Sequence, residues 1–366
     1  MIAALRSFRD RLLGRGDAAC TVPVFDGVLK PNHALDRATA WAGVSDPADM
    51  ACDGKRLLVA AGERVLEIDP AEPAQPREVF HASGRITAIA AFAGGIAIGV
   101  EGLAVRIHGG RFDGTRWTSA CGQPFKCVNA IAANGDTLLV CDASRHNGPE
   151  DWQRDLMERR SSGRIVRLDP ASGQELLLAE KLAYPFGVAV EPDGSLLFPE
   201  SWKHRVVRLA PGKHPEPVLE NLPGYPSRLV PAQGGGFWLT VFACRTQLVE
   251  FILRERKYRE IMMATIAPEL WPAPQLRPPH SFLEPLQGGG IKQMGVLKPW
   301  APPRSYGLVV RLDAGGRIRR SLHSRVDGSN HGVVAAAAIG QALFCLSVGA
   351  DAVLRLDAEP AQGDGA

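Results

Sequence analysis

Asn134-Gly135-Asp136-Thr137-Leu138-Leu139-Val140 leads, after an insertion, to Arg164-Ile165-Val166-Arg167-Leu168-Asp169, and the same phrase recurs along the chain. Downstream, Asp193-Gly194-Ser195-Leu196-Leu197-Phe198 leads to Arg205-Val206-Val207-Arg208-Leu209. Upstream, Asp53-Gly54-Lys55-Arg56-Leu57-Leu58-Val59 leads to Arg64-Val65-Leu66-Glu67-Ile68-Asp69. Gly235-Gly236-Phe237-Trp238-Leu239 leads to Tyr306-Gly307-Leu308-Val309-Val310-Arg311-Leu312-Asp313, and Gly340-Gln341-Ala342-Leu343-Phe344 to Ala352-Val353-Leu354-Arg355-Leu356-Asp357. A degenerate copy runs from Ile86 to His108 and turns at Gly94-Gly95. Asp-Gly, Asn-Gly and Gly-Gly supply the positive φ that two-residue hairpin turns require. The closing strand of each copy mixes polar and apolar positions, as a half-buried strand does. One such sheet leaves both faces partly apolar and must stack on copies of itself. Radial repetition achieves that and shields the edges.

The copies end at Asp69, His108, Asp169, Ala210, Asp313 and Asp357, a base spacing of about 40 residues, which is the blade length of propellers. Six copies predict an all-β, six-bladed β-propeller over residues 21–357, flanked by an amphipathic basic segment (1–20) and a tail (358–366). The last copy lacks a fourth strand. Thr21-Val22-Pro23-Val24-Phe25 is expected to supply it and close the ring, its proline suiting an edge. The third blade carries an insertion at about 143–162, with a helical Asp151–Met157, and the fifth a longer one at about 245–304. The latter begins with a helical run through Met263 and continues proline-rich, a composition that gives an extended, stiff segment. Long loops in compact domains tend to cover sites. A cover over the channel and a lateral decoration are both compatible with the sequence.

Hydrophobic residues make up 45% and charged residues 22% of the 366, as in globular proteins. The net charge of +3 comes without a basic stripe interleaved with aromatics, which argues against nucleic acid as a partner. Cys20, Cys52, Cys121, Cys127, Cys141, Cys244 and Cys345 show no CxxC spacing. They read as small core residues rather than a disulfide framework or zinc site, and a cytoplasmic location is expected. The N-terminus lacks the apolar core of a secretory signal. It sets Ile2, Leu5, Phe8, Leu12 and Leu13 on one helical face with arginines opposite. A short helix packed on the domain or left frayed is the favoured reading, contact with an anionic membrane surface or a partner the other. Oligomeric state leaves no mark in the sequence.

Four stretches add a resemblance: Asp155–Pro170, Tyr184-Pro185-Phe186-Gly187-Val188-Ala189-Val190-Glu191-Pro192-Asp193-Gly194, Leu222-Pro223-Gly224-Tyr225-Pro226, and Tyr306–Asp313. With these the chain resembles the strictosidine-synthase-like family over about residues 50–357, both insertions included. The resemblance implies a six-bladed propeller related to the gluconolactonase and paraoxonase propellers, several of which hold calcium in the channel and open esters or lactones. In the calcium-dependent relatives, asparagine and aspartate side chains at the starts of the innermost strands converge on the ion. Here Asn129 retains one such position, Phe186 stands where an asparagine is expected, and Ser227-Arg228 replace Asp-Asn. Calcium takes about six to eight oxygen ligands, and an arginine beside a dication costs Coulomb energy. The expectation is therefore no metal and no cofactor. The glutamate that serves the plant strictosidine synthases falls at Val333 or Val334, and valine cannot move a proton.

Five residues are then expected at the channel mouth. His331 is the candidate acid or base, since imidazole titrates near neutrality. Arg228 is the candidate for a carboxylate or oxyanion. Asn129, Phe186 and Ser227 are expected to contact substrate. The competing readings are a His331 bonded to a backbone carbonyl and an Arg228 locked in an ion pair that plugs the channel. Asp142, Ser144, Glu200 and Ser201 read first as turn and capping residues, Gly288-Gly289-Gly290 before Lys292 as a hinge, and His204, His280 and His323 as surface residues. The favoured function is metal-independent hydrolysis of a small-molecule ester or lactone. The alternatives are a propeller that binds a ligand or protein without catalysis, and an amine–aldehyde condensing enzyme with a relocated base. Fold alone does not decide among them.

Overall fold

The computed structural model describes residues 22–69, 72–278 and 304–358, together with the backbone of 292–293 and 296–297. The N-terminal amphipathic segment, Cys20, His280, the triglycine and nearly all of the C-terminal tail lie outside the described residues.

Six four-stranded antiparallel sheets form a six-bladed propeller, and in blades 1 to 5 the strands lie in chain order from the channel outward. The innermost strands are Pro47–Cys52, Ile86–Phe92, Val128–Asn134, Ala189–Val190, Gly224–Pro231 and Val333–Ile339 for blades 1 to 6. Three of these are rich in alanine, as in Val333-Val334-Ala335-Ala336-Ala337-Ala338. Small side chains suit the taper where six strands converge. Larger residues fill the wedges between neighbouring blades: Leu58, Val65, Ile86 and Ile98 between blades 1 and 2, and Leu139, Ile165, Val188 and Phe198 between blades 3 and 4.

Blade 6 is completed from the other end of the chain, but by Thr39–Gly43 rather than the expected Thr21–Phe25. Thr39 pairs with Arg355 and Gly43 with Ala352. Trp41 fixes the strand by packing on Phe344, ring centroids 4.7 Å apart. Val22–Phe25 form no strand; Phe25 stacks on Tyr306 and meets His323 edge-on, each at 5.6 Å. The following residues cover the outer strand of blade 5, Ile318–Ser324: Asn32 Nδ2 donates to Ser321 O at 2.9 Å, and Leu35 N to His323 O at 3.0 Å. An edge strand is thereby kept from pairing elsewhere.

Among the described residues three helices belong to the insertions: α1 (Trp152–Glu158) in blade 3, and α2 (Gln247–Arg254) and α3 (Arg256–Thr265) in blade 5. The Thr246 hydroxyl caps α2 by accepting from Val249 N. Gln153 Nε2 donates to Pro274 O at 2.7 Å, Arg159 Nη1 to Leu253 O at 3.2 Å, and Arg259 to Met157 O. The two insertions thus form one packed layer, with Trp271 fully buried in it.

The covering of blade 5 also corrects the expectation of a surface His323. Its ring is fully buried, with Nδ1 3.0 Å from the Tyr306 hydroxyl and Nε2 2.9 Å from Ser321 Oγ. Burial pushes its pKa down to about 4. Between about 4 and the ordinary value of about 6.5 the unfolded chain takes up a proton that the folded one refuses, so stability falls as pH drops through that window. The full loss is on the order of 3 kcal/mol. Urea denaturation at pH 7 and pH 4 should show a loss that is smaller by about that amount in His323→Gln; an equal loss in both proteins would refute the assignment.

Candidate functional site

Five innermost strands carry an irregular register at the same place. The pairing shifts between Pro47 and Asp49, Ile86 and Ala88, Val128 and Ala130, Pro226 and Leu229, and Val333 and Ala335. A bulge inserts an unpaired residue and re-aims its side chain. Ala48, Thr87, Asn129, Ser227-Arg228 and Val334 are the residues so placed. In blade 4 the equivalent stretch is Pro185-Phe186-Gly187, where Pro185 makes an isolated bridge to Glu200 before the short strand begins. Gly187 has φ +147°, and a Cβ there would lie 2.9 Å from Arg228 Cα. The close approach of blades 4 and 5 therefore requires glycine.

Arg228 lies among these inner strands and bonds to several of them. Its Nε is 2.7 Å from Asp49 Oδ1 of blade 1, an ion pair off the line of an ideal hydrogen bond. Nη1 donates to Val334 O of blade 6 at 3.1 Å and Nη2 to Asn129 O of blade 3 at 2.7 Å. The guanidinium carbon lies 4.8 Å from the centroid of the Phe186 ring of blade 4, a cation–π contact. Asp49 also accepts from Met50 N at 2.7 Å and Ile89 N at 2.9 Å. Both charged residues are buried. Burial pushes the Asp49 carboxyl above its ordinary range, against the opposing pull of Arg228 and of the two backbone N–H groups.

Beside this cluster is a cavity of about 130 Å³. Ala48, Thr87, Asn129, Phe186 and Val334 belong to the bulge ring and form its floor. Trp152, Tyr184 and Phe242 make an aromatic wall in which the Phe186 and Phe242 rings meet edge-on at 5.5 Å. Pro149, Glu150 and Leu276 come from the two insertions, so those segments cover the channel mouth rather than decorate the side. At the rim Arg85 bonds bidentately to Asp46 and places Nε 2.7 Å from Glu150 Oε1.

Of the five residues expected here, Asn129, Phe186 and Arg228 come together. Ser227 lies behind them, fully buried, its hydroxyl 2.7 Å from Thr240 Oγ1, and it does not line the cavity. His331 does not line it either. Its Nε2 donates to Arg325 O at 2.7 Å, which leaves Nδ1 to accept from the Ser305 hydroxyl at 2.7 Å. Burial lowers its pKa. With both nitrogens engaged, His331 is the carbonyl-bonded structural histidine, not an acid or base for this cavity. His204, also expected at the surface, is buried beside Glu250. Asp142 and Glu200 close loops as expected: each accepts backbone N–H bonds and pairs with an arginine of the next strand, Arg164 or Arg205.

Sequence reasoning missed Asp49, Thr87, Tyr184 and Glu150. Only Asp49 carried a signal. By register it stands where blades 2, 3 and 6 have Ala88, Ala130 and Ala335, and a carboxylate in place of an inner-strand alanine demands a partner.

Residues 129–210 match the family model described as Strictosidine synthase. Protein STRICTOSIDINE SYNTHASE-LIKE 13 of Arabidopsis thaliana is 28% identical over 56% of this chain and 46% of its own length. The match thus spans less than half of that relative. Adipocyte plasma membrane-associated protein of Bos taurus is 25% identical over 82% of this chain and 74% of the relative. Among solved structures, a gluconolactonase from Xanthomonas campestris superposes with a TM-score of 0.55 at 14% identity, covering 93% of this chain and 95% of the other. A putative gluconolactonase gives 0.53 at 13% identity, covering 88% and 91%. At such identity the structural likeness concerns the fold. The resemblance drawn from the sequence holds at that level.

Arg228 and Asp49 are predicted to depend on each other. Arg228→Leu strands a buried carboxylate and should cost about 3–5 kcal/mol in urea denaturation. Combining it with Asp49→Ala should cost clearly less than the two single changes added, since each alone leaves a buried charge unpaired. Additive losses would show that the two charges are not coupled.

Proposed function

We propose that this strictosidine-synthase-like propeller captures a small, mostly apolar molecule carrying one carbonyl-type group at the channel mouth, without a metal ion. The observation that carries the reading is Asn129. Both polar atoms of its side chain are buried without a hydrogen-bond partner, and the residue lines the cavity. The Tyr184 hydroxyl faces it outside hydrogen-bond geometry. Leaving a buried amide unpaired costs about 1–3 kcal/mol, and such a group calls for an explanation. A ligand oxygen that accepts from Nδ2 supplies one. The cavity's size approaches the roughly 150 Å³ of an apolar cavity that admits benzene, so a single ring fits, the aromatic wall contacting its faces.

The residues present do not fit calcium. Asp49 already accepts from Met50 N and Ile89 N and pairs with Arg228; the Ser227 hydroxyl is bonded to Thr240; Phe186 offers no oxygen. The guanidinium adds a fixed positive charge beside them.

A second reading, hydrolysis of an ester or lactone, is favoured by Glu150. Among the described residues it is the one carboxylate lining the cavity, and its side chain is 71% exposed, which leaves it open to water. In this reading Glu150 takes a proton from a water that attacks the carbonyl carbon, and Asn129 Nδ2 donates to the oxyanion that forms. Collapse of that intermediate breaks the C–O bond to the alcohol, which leaves with the proton held on Glu150, and a carboxylic acid remains. Condensation of an amine with an aldehyde finds no support at Val334, which lines the cavity.

Trp152 fluorescence can follow binding of aryl esters and small lactones with and without EDTA. EDTA should leave binding unchanged. Asn129→Leu should weaken it about tenfold, the equivalent of about 1.4 kcal/mol, while stabilising the free protein by on the order of 1 kcal/mol. Glu150→Gln should abolish turnover but spare binding. EDTA-sensitive binding, or an Asn129→Leu protein that binds as well as the parent, would remove the reading.

A further inference from the structure

A second cavity, about 590 Å³, opens between α1, the turn at Ser201–Lys203 and α2. Its volume is that of a ligand pocket rather than a packing gap. Six cations line it: Arg159, Arg160, Lys203, Arg205, Arg245 and Arg254. Two carboxylates line it as well, Glu220 and Glu250. Glu158 pairs with Arg160 from behind, and Glu200 with Lys203 and Arg205. Leaving Arg254 aside, the other five positive charges face these four carboxylates among the described residues, an excess of one.

Arg245 is fixed in place. Its Nη1 donates to Asn221 Oδ1 at 3.0 Å and Leu222 O at 3.1 Å, and Nε to Glu250 Oε1 at 3.1 Å. Burial pushes the Glu250 carboxyl up, but His204 and Arg245 more than offset this and hold it at about 2. Burial lowers the pKa of His204. Glu250 is therefore an anion at neutral pH. Arginine forks matched to a multiply charged oxyanion are the arrangement that recognises phosphate.

We propose that this cavity binds a phosphate-bearing anion. An independent feature beside it points to a lipid headgroup as the source. Leu248 and Phe251 on α2, Tyr258 and Ile261 on α3, and Ile266 and Leu270 just beyond are exposed. They make up six of the eleven exposed large hydrophobic residues among those described. The opposite sides of the same helices bury Val249, Ile252, Leu253 and Met262 in the core. Helices apolar on both sides, with an arginine-rich cavity against one of them, have the composition of segments that lie in a membrane interface. No described helix is long and apolar enough to cross a membrane, so the contact proposed is with the surface.

The test has a soluble arm, calorimetric titration with pyrophosphate, and a membrane arm, co-flotation with vesicles of phosphatidylcholine alone or mixed with phosphatidic acid. The full chain should float with the mixed vesicles and not with the neutral ones, less so as salt rises. Arg160→Ala combined with Lys203→Ala leaves the core untouched and should weaken flotation and any pyrophosphate binding at least tenfold. Phe251→Ser combined with Ile261→Ser should abolish flotation and spare pyrophosphate. Pyrophosphate binding without flotation would keep the anion site and make a free phosphate its ligand. Binding in neither arm, or binding that survives the loss of Arg160 and Lys203 unchanged, would overturn the proposal.

Discussion

A guanidinium group held among the innermost strands is the constraint on which the centre of this propeller depends. The poorly hydrated centre of a β-propeller tolerates a full charge only when it is paired and hydrogen-bonded. Arg228 meets that requirement with Asp49, two backbone carbonyls and the face of Phe186, so blades 1, 3, 4 and 6 are all tied to blade 5 through one side chain. A bound ion can bring strands together in the same way, but it can be lost. A tethered cation cannot leave, and its position is set by the bulge that carries it. Gly187 belongs to the same arrangement, since any side chain there would push blade 4 off the arginine.

The tie at the axis frees the mouth above it. Arg228 takes the backbone carbonyl of Asn129, and the residue's amide side chain, which Arg228 does not engage, lies at the cavity. The insertions then set the chemistry of the walls. Trp152 and Leu276 make them apolar, and Glu150, anchored by Arg85, brings one carboxylate to the rim. The same layer holds the cationic cavity on its other side, separated from the channel by the Trp202 and Tyr184 rings stacked 4.3 Å apart.

Much of this was legible in the sequence, for identifiable reasons. Hairpin dipeptides such as Asn134-Gly135 and Asp193-Gly194 have few conformations open to them, so their recurrence at a base spacing of about 40 residues, interrupted by two insertions, defines the blades. Phe186 and Arg228 were legible as inner-ring residues because the first lies within, and the second just after, stretches that carry the resemblance. The closing strand was not, because Thr39-Ala40-Trp41-Ala42-Gly43 is nearly devoid of branched residues and owes its conformation to pairing with Ala352–Asp357. The choice between the two readings of His331 stayed open for a related reason. Its partners, Ser305 and Arg325 O, are brought to it by the fold, and sequence spacing does not show that both ring nitrogens are taken.

The seam in blade 6 has a consequence for how the molecule comes into being. Thr39 lies beside Arg355, so the first strand of the ring to be made waits for the last. Until then blade 5 and blade 1 each present an unshielded flank to the gap. Loop-closure entropy grows only slowly with length, so the wait is a matter of timing rather than of final stability, and contacts so distant in sequence slow folding. An incomplete ring during translation exposes apolar wedge surface, and a chaperone that shelters it until the last strand emerges would act on a geometric necessity of the circular plan.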